Sequence, residues 1–283
     1  MWYPKKFPAL LAGFIGVIFF QLAGATPGST SGNQQLDAIK DFQHKEALQR
    51  SQDAIGNLLS NYSLTDEKGH ALSLNDLRGK PLVLSMIYTS CYQICPMTTR
   101  HLAKVVDKAR DALGEDSFNV AVLGFDAYND SPQAMSQFAR KQGIDSRGWY
   151  LLSASPDTIN ALSKELGFEF FSSPNGFDHI TQATVIDADG RVYRQVYGEV
   201  FDTPLLVEPL KQLVLGQPRP NETLWSGLVN KVRFFCTTYD PARDAYHFDY
   251  SLFIGMAIGA SIIFTGIFLL VREIRHGRRA AGT

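Results

Sequence analysis

The sequence has little net charge, few cysteines and no internal repeat. Its 283 residues carry a formal net charge of -1, and 19% of them are charged. The central part has no extended basic stripe in which aromatic residues alternate with Lys or Arg. Proteins that bind nucleic acid neutralise phosphates with such clusters. We therefore expect no nucleic acid among the partners of this protein.

Apolar segments that could reach a membrane occur at the two ends of the chain. At the N-terminus, Lys5 and Lys6 precede an apolar stretch from Phe7 to Leu22, and small residues follow at 23–25. This order is typical of a secretory signal peptide, so we predict one over residues 1–25, with cleavage after Ala25. An uncleaved anchor is the alternative, although the stretch is near the short end of the ~17 to 25 residues that span a bilayer. Either interpretation places Thr26 outside the cytoplasm.

The C-terminal apolar segment is the stronger membrane signal. Residues 251–271 contain no charge, and at about 1.5 Å per residue a helix of this length crosses a hydrocarbon core of ~30 Å. Four arginines follow, at 272, 275, 278 and 279, and the positive-inside rule places them in the cytoplasm. We predict a span over 250–271, a cytoplasmic tail over 272–283, and a main domain on the periplasmic side of a bacterial inner membrane. The alternative is a helix buried in a soluble core.

Between these segments the sequence alternates between strand and helix signals. Residues 26–59 are polar and are predicted to be a spacer, residues 60–216 a folded domain, and residues 217–249 a linker and juxtamembrane segment. A turn signal at 66–69 predicts an N-terminal β-hairpin. Strands are predicted at 81–88, 118–125, 149–153, 183–186 and 191–196, and helices at 96–113, 131–142, 155–166 and 202–215. This alternation predicts an α/β domain whose central sheet is covered on both faces.

Two of the three cysteines lie where a strand is predicted to end and a helix to begin. Cys91 and Cys95 follow the apolar run 81–88, and Pro96 suits the first position of the helix. The positive end of the helix dipole then favours a thiolate, which is both a nucleophile and a metal ligand. A static disulfide is the alternative, but residues this close remove little chain entropy when bridged. Cys236 is then left over.

Several segments together resemble a known family. They are NYSLTDEKG at 61–69, LRGKP at 77–81, YTSCYQICP at 88–96, DH at 178–179 and VIDADG at 185–190. The chain resembles the Sco/SenC proteins, which are copper-binding assembly factors of cytochrome c oxidase. The resemblance covers roughly residues 60–215 and implies a thioredoxin-like fold.

The resemblance also implies a metal site. The resemblance implies that three copper ligands of the family correspond to Cys91, Cys95 and His179. It also implies that Asp126 corresponds to an acidic position near the site. In a thioredoxin-like sheet, we expect His179 in a loop before the last hairpin, close to the start of the cysteine-bearing helix. Tyr92 departs from the family, many members of which have proline there. The family usually carries its anchor at the N-terminus, so the C-terminal span suggests a subgroup with a different client.

The chemistry of these side chains leaves alternatives open. Two thiolates and one imidazole suit Cu(I) and Cu(II), but zinc accepts the same ligands. Taken alone, His179 is more typical of a hydrogen-bonded surface histidine than of a ligand, and Asp126 is equally typical of a turn residue. Cys236 is interpreted as a packing residue, the alternatives being a second copper contact or a surface for docking a client.

The first functional hypothesis is a membrane-anchored metallochaperone. It would receive copper from a donor and pass it to the dinuclear copper site of cytochrome c oxidase subunit II. The second hypothesis is an enzyme, a thiol-disulfide reductase that keeps the cysteines of that site reduced. Peroxide reduction is a third and weaker hypothesis, because we find no arrangement of Arg or Thr that would activate a single thiolate.

Overall fold

The computed structural model describes residues 43–144, 148–174, 176–216, 229, 232–234 and 236–280. The predicted signal peptide, its cleavage site and the first part of the spacer lie outside these residues. The helices are α1 over 43–53, then α2 Ile94–Leu113, α3 Pro132–Gln142, α4 Pro156–Leu166, α5 Thr203–Leu215 and α6 Ser251–Ala280. The strands are β1 Ser63–Asp66, β2 Ala71–Ser73, β3 Leu82–Ile87, β4 Asn119–Gly124, β5 Trp149–Ser153, β6 Phe170–Ser173, β7 Gly176–His179, β8 Gln182–Ile186, β9 Val192–Tyr197, β10 Thr237–Asp240 and β11 Ala245–Phe248.

A mixed sheet forms the centre of the fold. Within the described residues it has seven strands in the order β2-β1-β5-β4-β3-β8-β9. Strands β3, β4 and β5 run parallel, whereas β8 and β9 at one side and β1 and β2 at the other are antiparallel to their neighbours. Every residue of β3 is buried, as expected for a continuous apolar strand covered on both faces. The predicted α/β class is confirmed.

Two apolar clusters lie on the two faces of the sheet. One joins alternate residues of β3, such as Leu84 and Met86, to side chains of α3 and α4. The other joins Val83 to side chains of α2 and α5. Because successive residues of a strand point to opposite faces, this division places α3 and α4 on one side and α2 and α5 on the other. The cysteine-bearing helix is therefore packed along its length against the sheet.

The caps of α3 and α4 show why the sequence predicted these helices well. Ser131 and Ser155 accept hydrogen bonds from the backbone N–H groups of Ala134 and Thr158, at 3.3 Å in both cases. Each serine is followed by proline at the first helical position, and each helix ends at a glycine in the left-handed conformation. These start and stop signals act locally, so they can be read from the sequence.

The N-terminal β-hairpin is also confirmed. Strands β1 and β2 pair antiparallel, with Ser63 opposite Ser73. In the turn, Asp66 accepts hydrogen bonds from the N–H groups of Lys68 and His70, at 2.9 and 2.7 Å. The hairpin joins the central sheet through pairing of β1 with β5.

The predicted spacer over 26–59 differs from the structure at its C-terminal end. Residues 43–53 form α1, and Ala47, Ser51 and Ala54 on it or just after it are buried. The Ser51 hydroxyl donates to Gln182 Oε1 on β8 at 2.8 Å. The packed part of the chain therefore starts before residue 60, because small residues on one side of α1 lie against the domain.

The segment predicted as a linker over 217–249 ends in a second hairpin, β10 and β11. Its turn residue Asp244 receives hydrogen bonds from Lys108 on α2 and from Thr203 on α5. The Lys211 ammonium group donates to the backbone carbonyl of Thr237. These contacts attach the hairpin to the two helices on one face of the sheet.

Helix α6 follows the hairpin directly. Within the described residues it is the one helix long and apolar enough to cross a membrane, over Ser251–Arg272, close to the predicted 250–271. The helix continues to Ala280, so the first part of the predicted tail is helical.

Candidate metal and thiol site

The two cysteines lie close together at the start of α2. Strand β3 ends at Ile87, and α2 begins at Ile94, two residues earlier than predicted. Cys95 is therefore inside the first turn, and its backbone N–H donates to Cys91 Sγ at 3.3 Å. None of the three cysteines is bridged. The structure thus presents an unbridged pair whose first sulfur accepts from a helix N-terminal N–H group.

Pro96 is the third residue of α2, whereas the sequence predicted it as the first. The four N-terminal N–H groups of an α-helix have no partner within the helix. A proline without an N–H therefore fits anywhere in this first turn, and its sequence position did not fix the exact start of the helix.

The two thiols differ in exposure and in acidity. Cys91 is half-buried, and Cys95 is 2% exposed. Burial opposes ionisation of Cys91, but hydrogen bonds from the backbone and side chain of Cys95, from the Gln93 backbone and from Tyr88 outweigh it and lower the pKa of Cys91. Burial, followed by the proximity of Cys91, raises the pKa of Cys95. Cys91 is therefore the more acidic thiol of the pair, and Cys95 is the less acidic one.

A buried carboxylate supports the cysteine loop. Asp130 is 1% exposed, and its Oδ1 accepts from the N–H and the hydroxyl of Thr89, at 2.8 and 2.7 Å. Its Oδ2 accepts from the N–H of Asp126 at 2.9 Å. Burial raises the pKa of Asp130, although these hydrogen bonds oppose the shift. Asp130 thus holds the backbone two residues before Cys91.

The sequence singled out Asp126 rather than Asp130. The Asp126 side chain accepts from Asn129 Nδ2 at 2.7 Å, a contact within its own turn. Two features of the sequence could have drawn attention to Asp130. It directly precedes Ser131, the N-cap residue of α3, and it lies four residues after Asp126. What the sequence did not reveal is that Asp130 reaches across to the loop after β3.

His179 is the last residue of β7, whereas the sequence predicted a loop before the β8–β9 hairpin. It pairs with Phe170 in a separate two-stranded sheet, β6 and β7. Its Nδ1 lies 3.1 Å from the Ile180 carbonyl oxygen. Since a carbonyl only accepts, Nδ1 carries the proton, and Nε2 keeps the lone pair that a metal requires. Burial lowers the pKa of His179, which favours this neutral form.

An aromatic cluster connects His179 with the cysteine loop. The His179 ring centroid is 5.3 Å from that of Phe125 and 6.1 Å from that of Tyr88. The backbone carbonyl of Tyr88 in turn accepts from the N–H of Cys91 at 3.2 Å. Within the described residues, no group of three or more His, Cys, Asp or Glu side chains is arranged to hold a metal ion. The structure brings the two sulfurs together and places His179 in the adjoining cluster, with Tyr88 between them.

Cys236 lies apart from this pair in the chain and in the fold. It is 5% exposed, and its backbone carbonyl accepts from the N–H of Asp249 at 2.6 Å. Its neighbour Thr237 pairs with Phe248 on β11, and the Thr237 carbonyl accepts from Lys211 on α5. These contacts agree with the interpretation of Cys236 as a packing residue.

Comparison with known proteins gives a consistent result. The family model described as SCO1/SenC matches residues 50–215, from within α1 to the end of α5. The chain is 24% identical to the SCO1 protein homolog of Bacillus subtilis over 162 residues, covering 55% of this chain and 81% of that protein. A SCO1/SenC family lipoprotein from Bacillus anthracis has a similar structure, with a TM-score of 0.51 and 26% identity over 56% of this chain and 95% of that one.

A more distant structure shares the fold. Yeast Sco1, solved with copper bound, has a TM-score of 0.50 and 18% identity, covering 58% of this chain and 92% of that one. Together these similarities confirm the predicted thioredoxin-like fold.

Proposed function

Because the chain belongs to the SCO1/SenC family, we propose that it is a membrane-anchored copper carrier that serves the assembly of cytochrome c oxidase. A solved Sco protein is described as a member of a family of cytochrome c oxidase assembly proteins, and the yeast relative was solved with copper. The single observation that carries the proposal for this chain is its unbridged pair of thiols, with the Cys95 N–H 3.3 Å from Cys91 Sγ.

The proposed ligands are Cys91, Cys95 and His179. Two sulfur donors favour a soft ion such as Cu(I), and an imidazole nitrogen is acceptable to both oxidation states of copper. The neutral imidazole with its lone pair on Nε2 supports the assignment of His179. Asp130 has no role as a ligand in this proposal; it fixes the loop that carries Cys91.

Copper is the cargo, and its transfer is an exchange of ligands. The ion would leave the two sulfurs and the imidazole as the donors of the client, subunit II of the oxidase, replace them. Ligand thiols must be deprotonated to hold copper, so binding releases the proton that Cys95 keeps in the metal-free site. The pair must also stay reduced, because a disulfide leaves no thiolate for the ion.

The proposed location is the periplasmic side of a bacterial inner membrane. Helix α6 is long enough to span the bilayer, and the arginines at 272, 275, 278 and 279 favour a cytoplasmic C-terminus. The domain before α6 then lies outside the cytoplasm, where oxidase copper sites are loaded in this proposal.

The unequal acidity of the thiols supports a second candidate, a thiol-disulfide reductase. The Cys91 thiolate would attack a client disulfide and form a mixed disulfide. Cys95, losing its proton, would then attack Cys91 Sγ and release the client as a dithiol. One disulfide is reduced and one is formed, so electrons balance.

Copper titration of the reduced full chain in detergent tests the first proposal. We expect one copper ion per chain, and Cys91→Ser, Cys95→Ser or His179→Ala should each weaken binding by more than the about 10- to 100-fold typical of an outer-shell partner. Cys236→Ser is the matched control and should bind like the wild type. Unchanged stoichiometry and affinity in all three ligand variants would contradict the proposal.

The same variants separate the two candidate functions. His179→Ala should lose copper binding and still reduce a model disulfide, because only the sulfurs take part in exchange. If His179→Ala binds copper normally while either cysteine variant loses disulfide reduction, the reductase is favoured.

A further inference from the structure

The β10–β11 hairpin lies between the cysteine-bearing helix and the candidate membrane helix. Only Asp249 and Tyr250 separate the end of β11 from the start of α6. The Asp249 N–H donates to the Cys236 carbonyl oxygen at 2.6 Å, and its carboxylate accepts from the N–H of Ser251 at 2.8 Å. The hairpin therefore continues into α6 through two residues, one of which bonds to both sides of the junction.

Aromatic side chains pack across the same junction. The Phe248 ring on β11 has its centroid 4.9 Å from that of Tyr250 and 5.9 Å from that of Phe253 on α6. Aromatic residues are enriched at the interface between membrane and water, where one end of a tyrosine is apolar and the other is wet. These ring contacts restrict the angle between the hairpin and α6.

The turn of the hairpin is bound to α2 and α5 through the carboxylate of Asp244. It accepts hydrogen bonds from the Lys108 ammonium on α2, from the Thr203 hydroxyl on α5 at 2.7 Å and from the Tyr239 hydroxyl on β10 at 2.9 Å. Asp244 has a φ of +45°, and among the residues that the structure describes it is the one non-glycine residue with a positive φ. Such a conformation persists when the surrounding contacts hold it.

Buried contacts add to this attachment. Tyr246 on β11 packs against the apolar cluster that includes side chains of α2 and α5, and its hydroxyl donates to Glu208 Oε1 at 2.9 Å. The buried Lys211 ammonium on α5 donates to the Thr237 carbonyl at the start of β10. An exposed ion pair alone contributes little to stability, whereas a buried donor left without its acceptor is costly. The hairpin is therefore held by buried groups as well as by the contacts of its turn.

We propose that the β10–β11 hairpin is a rigid connection between α6 and α2, which holds the cysteine pair at a fixed position relative to the bilayer. Lys108, where the hairpin binds α2, lies about 20 Å along the helix from Cys95, at about 1.5 Å per residue. The inference rests on one part of the proposed function, the anchoring of the chain through α6. The sulfurs then reach partners whose reacting groups lie at a matching height above the same membrane.

Distances between two spin labels in the full chain, reconstituted in lipid nanodiscs, test the connection. The labels occupy two exposed positions, Lys104→Cys on α2 and Ser261→Cys on α6. The three native cysteines are replaced by serine so that only these positions react. We expect one narrow distance distribution, because a rigid connection keeps α2 and α6 in one relative arrangement.

Removing the contacts of the hairpin should release the domain from this arrangement. Asp244→Ala/Tyr246→Ala should widen the distance distribution at least about twofold, because a released segment behaves as a flexible linker. The matched control is Asp240→Ala in the same hairpin, whose carboxylate accepts from the N–H of Ala242 in its own turn at 2.9 Å. The control should keep the narrow distribution.

A broad distribution in the chain with an unaltered hairpin would overturn the inference, and so would equal widening by the control and by the double variant. A second pair of labels within the domain, Lys104→Cys and Asp189→Cys, should keep its distance in the double variant if the domain stays folded. If the domain does not fold, the width measured with the unaltered hairpin decides.

The label at residue 261 also tests the anchor separately. A water-soluble relaxing agent should not reach it if α6 lies in the bilayer. If the agent does reach it, the proposed anchor fails, and the width of the distance distribution still decides whether the hairpin connects α6 rigidly to α2.

Discussion

At the scale of single residues, the two cysteines of the pair differ in environment although only three residues separate them. Cys91 receives hydrogen bonds and is half-buried, whereas Cys95 is enclosed by the apolar cluster around β3. A site that both holds a metal and releases it benefits from this asymmetry, because one sulfur remains accessible to an incoming ligand. The same asymmetry predicts which thiol reacts first.

We expect iodoacetamide to alkylate Cys91 before Cys95 in the reduced, metal-free protein. Because the pKa of Cys91 is lowered, its thiolate fraction rises at a lower pH than that of an ordinary thiol, which has a pKa of about 8.5. Mass spectrometry of peptides labelled across a pH series measures this. The alkylation midpoint of Cys91 should lie below that of free cysteine; a midpoint above it, or faster labelling of Cys95, would contradict the assignment.

Asp130 is expected to be important for stability. Asp130→Ala leaves the N–H and hydroxyl of Thr89 and the N–H of Asp126 without their acceptor, which should lower the free energy of unfolding by about 3 kcal/mol. Urea denaturation followed by tryptophan fluorescence gives the value. The control is Asp189→Ala at an exposed position, which should lower the free energy of unfolding by less than about 0.5 kcal/mol. Equal effects of the two changes would refute the role given to Asp130.

At the scale of elements, α1 is a part of the domain that the sequence did not reveal. Ser51 on this helix is fully buried, and its hydroxyl contacts both Gln182 and the Tyr197 hydroxyl, at 2.8 and 2.9 Å. These contacts join α1 to β8 and β9, which form one side of the central sheet. The helix therefore stabilises strands that are distant in sequence.

Ser51→Ala should lower the free energy of unfolding by about 1 to 2 kcal/mol, because the buried oxygen of Gln182 loses its donor. Ser172→Ala, at an exposed position of β6, is the matched control and should be neutral within about 0.5 kcal/mol. The two values come from urea denaturation under identical conditions. A neutral Ser51→Ala would mean that α1 does not pack as the structure shows.

The elements differ in how far the sequence predicted them. The central strands and α3 and α4 were predicted closely, since apolar runs and Ser-Pro caps are local signals. Strands β6, β7, β10 and β11 were missed because they have only four residues each and no apolar run that marks a strand. The placement of His179 was wrong for the same reason. The position of α1 depends on burial of Ala47 and Ser51, which a polar stretch does not reveal.

The sequence predicted which residues form the candidate site better than it predicted how they are arranged. Cys91 and Cys95 were identified from their position after an apolar strand, and the structure brings them together. His179 was identified through the family resemblance, and the structure places it beside Tyr88. Asp130 was missed, because its role arises from hydrogen bonds to Thr89, which is far from it in sequence.

At the scale of the whole molecule, the domain and helix α6, the candidate membrane span, are joined by a hairpin outside the part that matches the family. The family match ends at residue 215, and β10 and β11 follow at 237–248. Asp244 in their turn binds Lys108 and Thr203, so the hairpin is attached to the domain just before α6 begins.

The predicted orientation can be tested by labelling from one side of the membrane. In spheroplasts, a membrane-impermeant thiol reagent should reach Cys91 of the wild type. In a Cys91→Ser/Cys95→Ser background, Thr283→Cys should be labelled only after permeabilisation, because the arginines before it retain the tail in the cytoplasm. Labelling of Thr283→Cys in intact spheroplasts would reverse the proposed topology.

The central claim is that Cys91, Cys95 and His179 share one copper ion. X-ray absorption at the copper edge of the loaded full chain tests it most directly, by identifying the atoms bound to the metal. The account predicts two sulfur neighbours and one imidazole nitrogen, with the nitrogen lost and both sulfurs kept in His179→Ala. A copper environment without sulfur, or one that His179→Ala leaves unchanged, would contradict it.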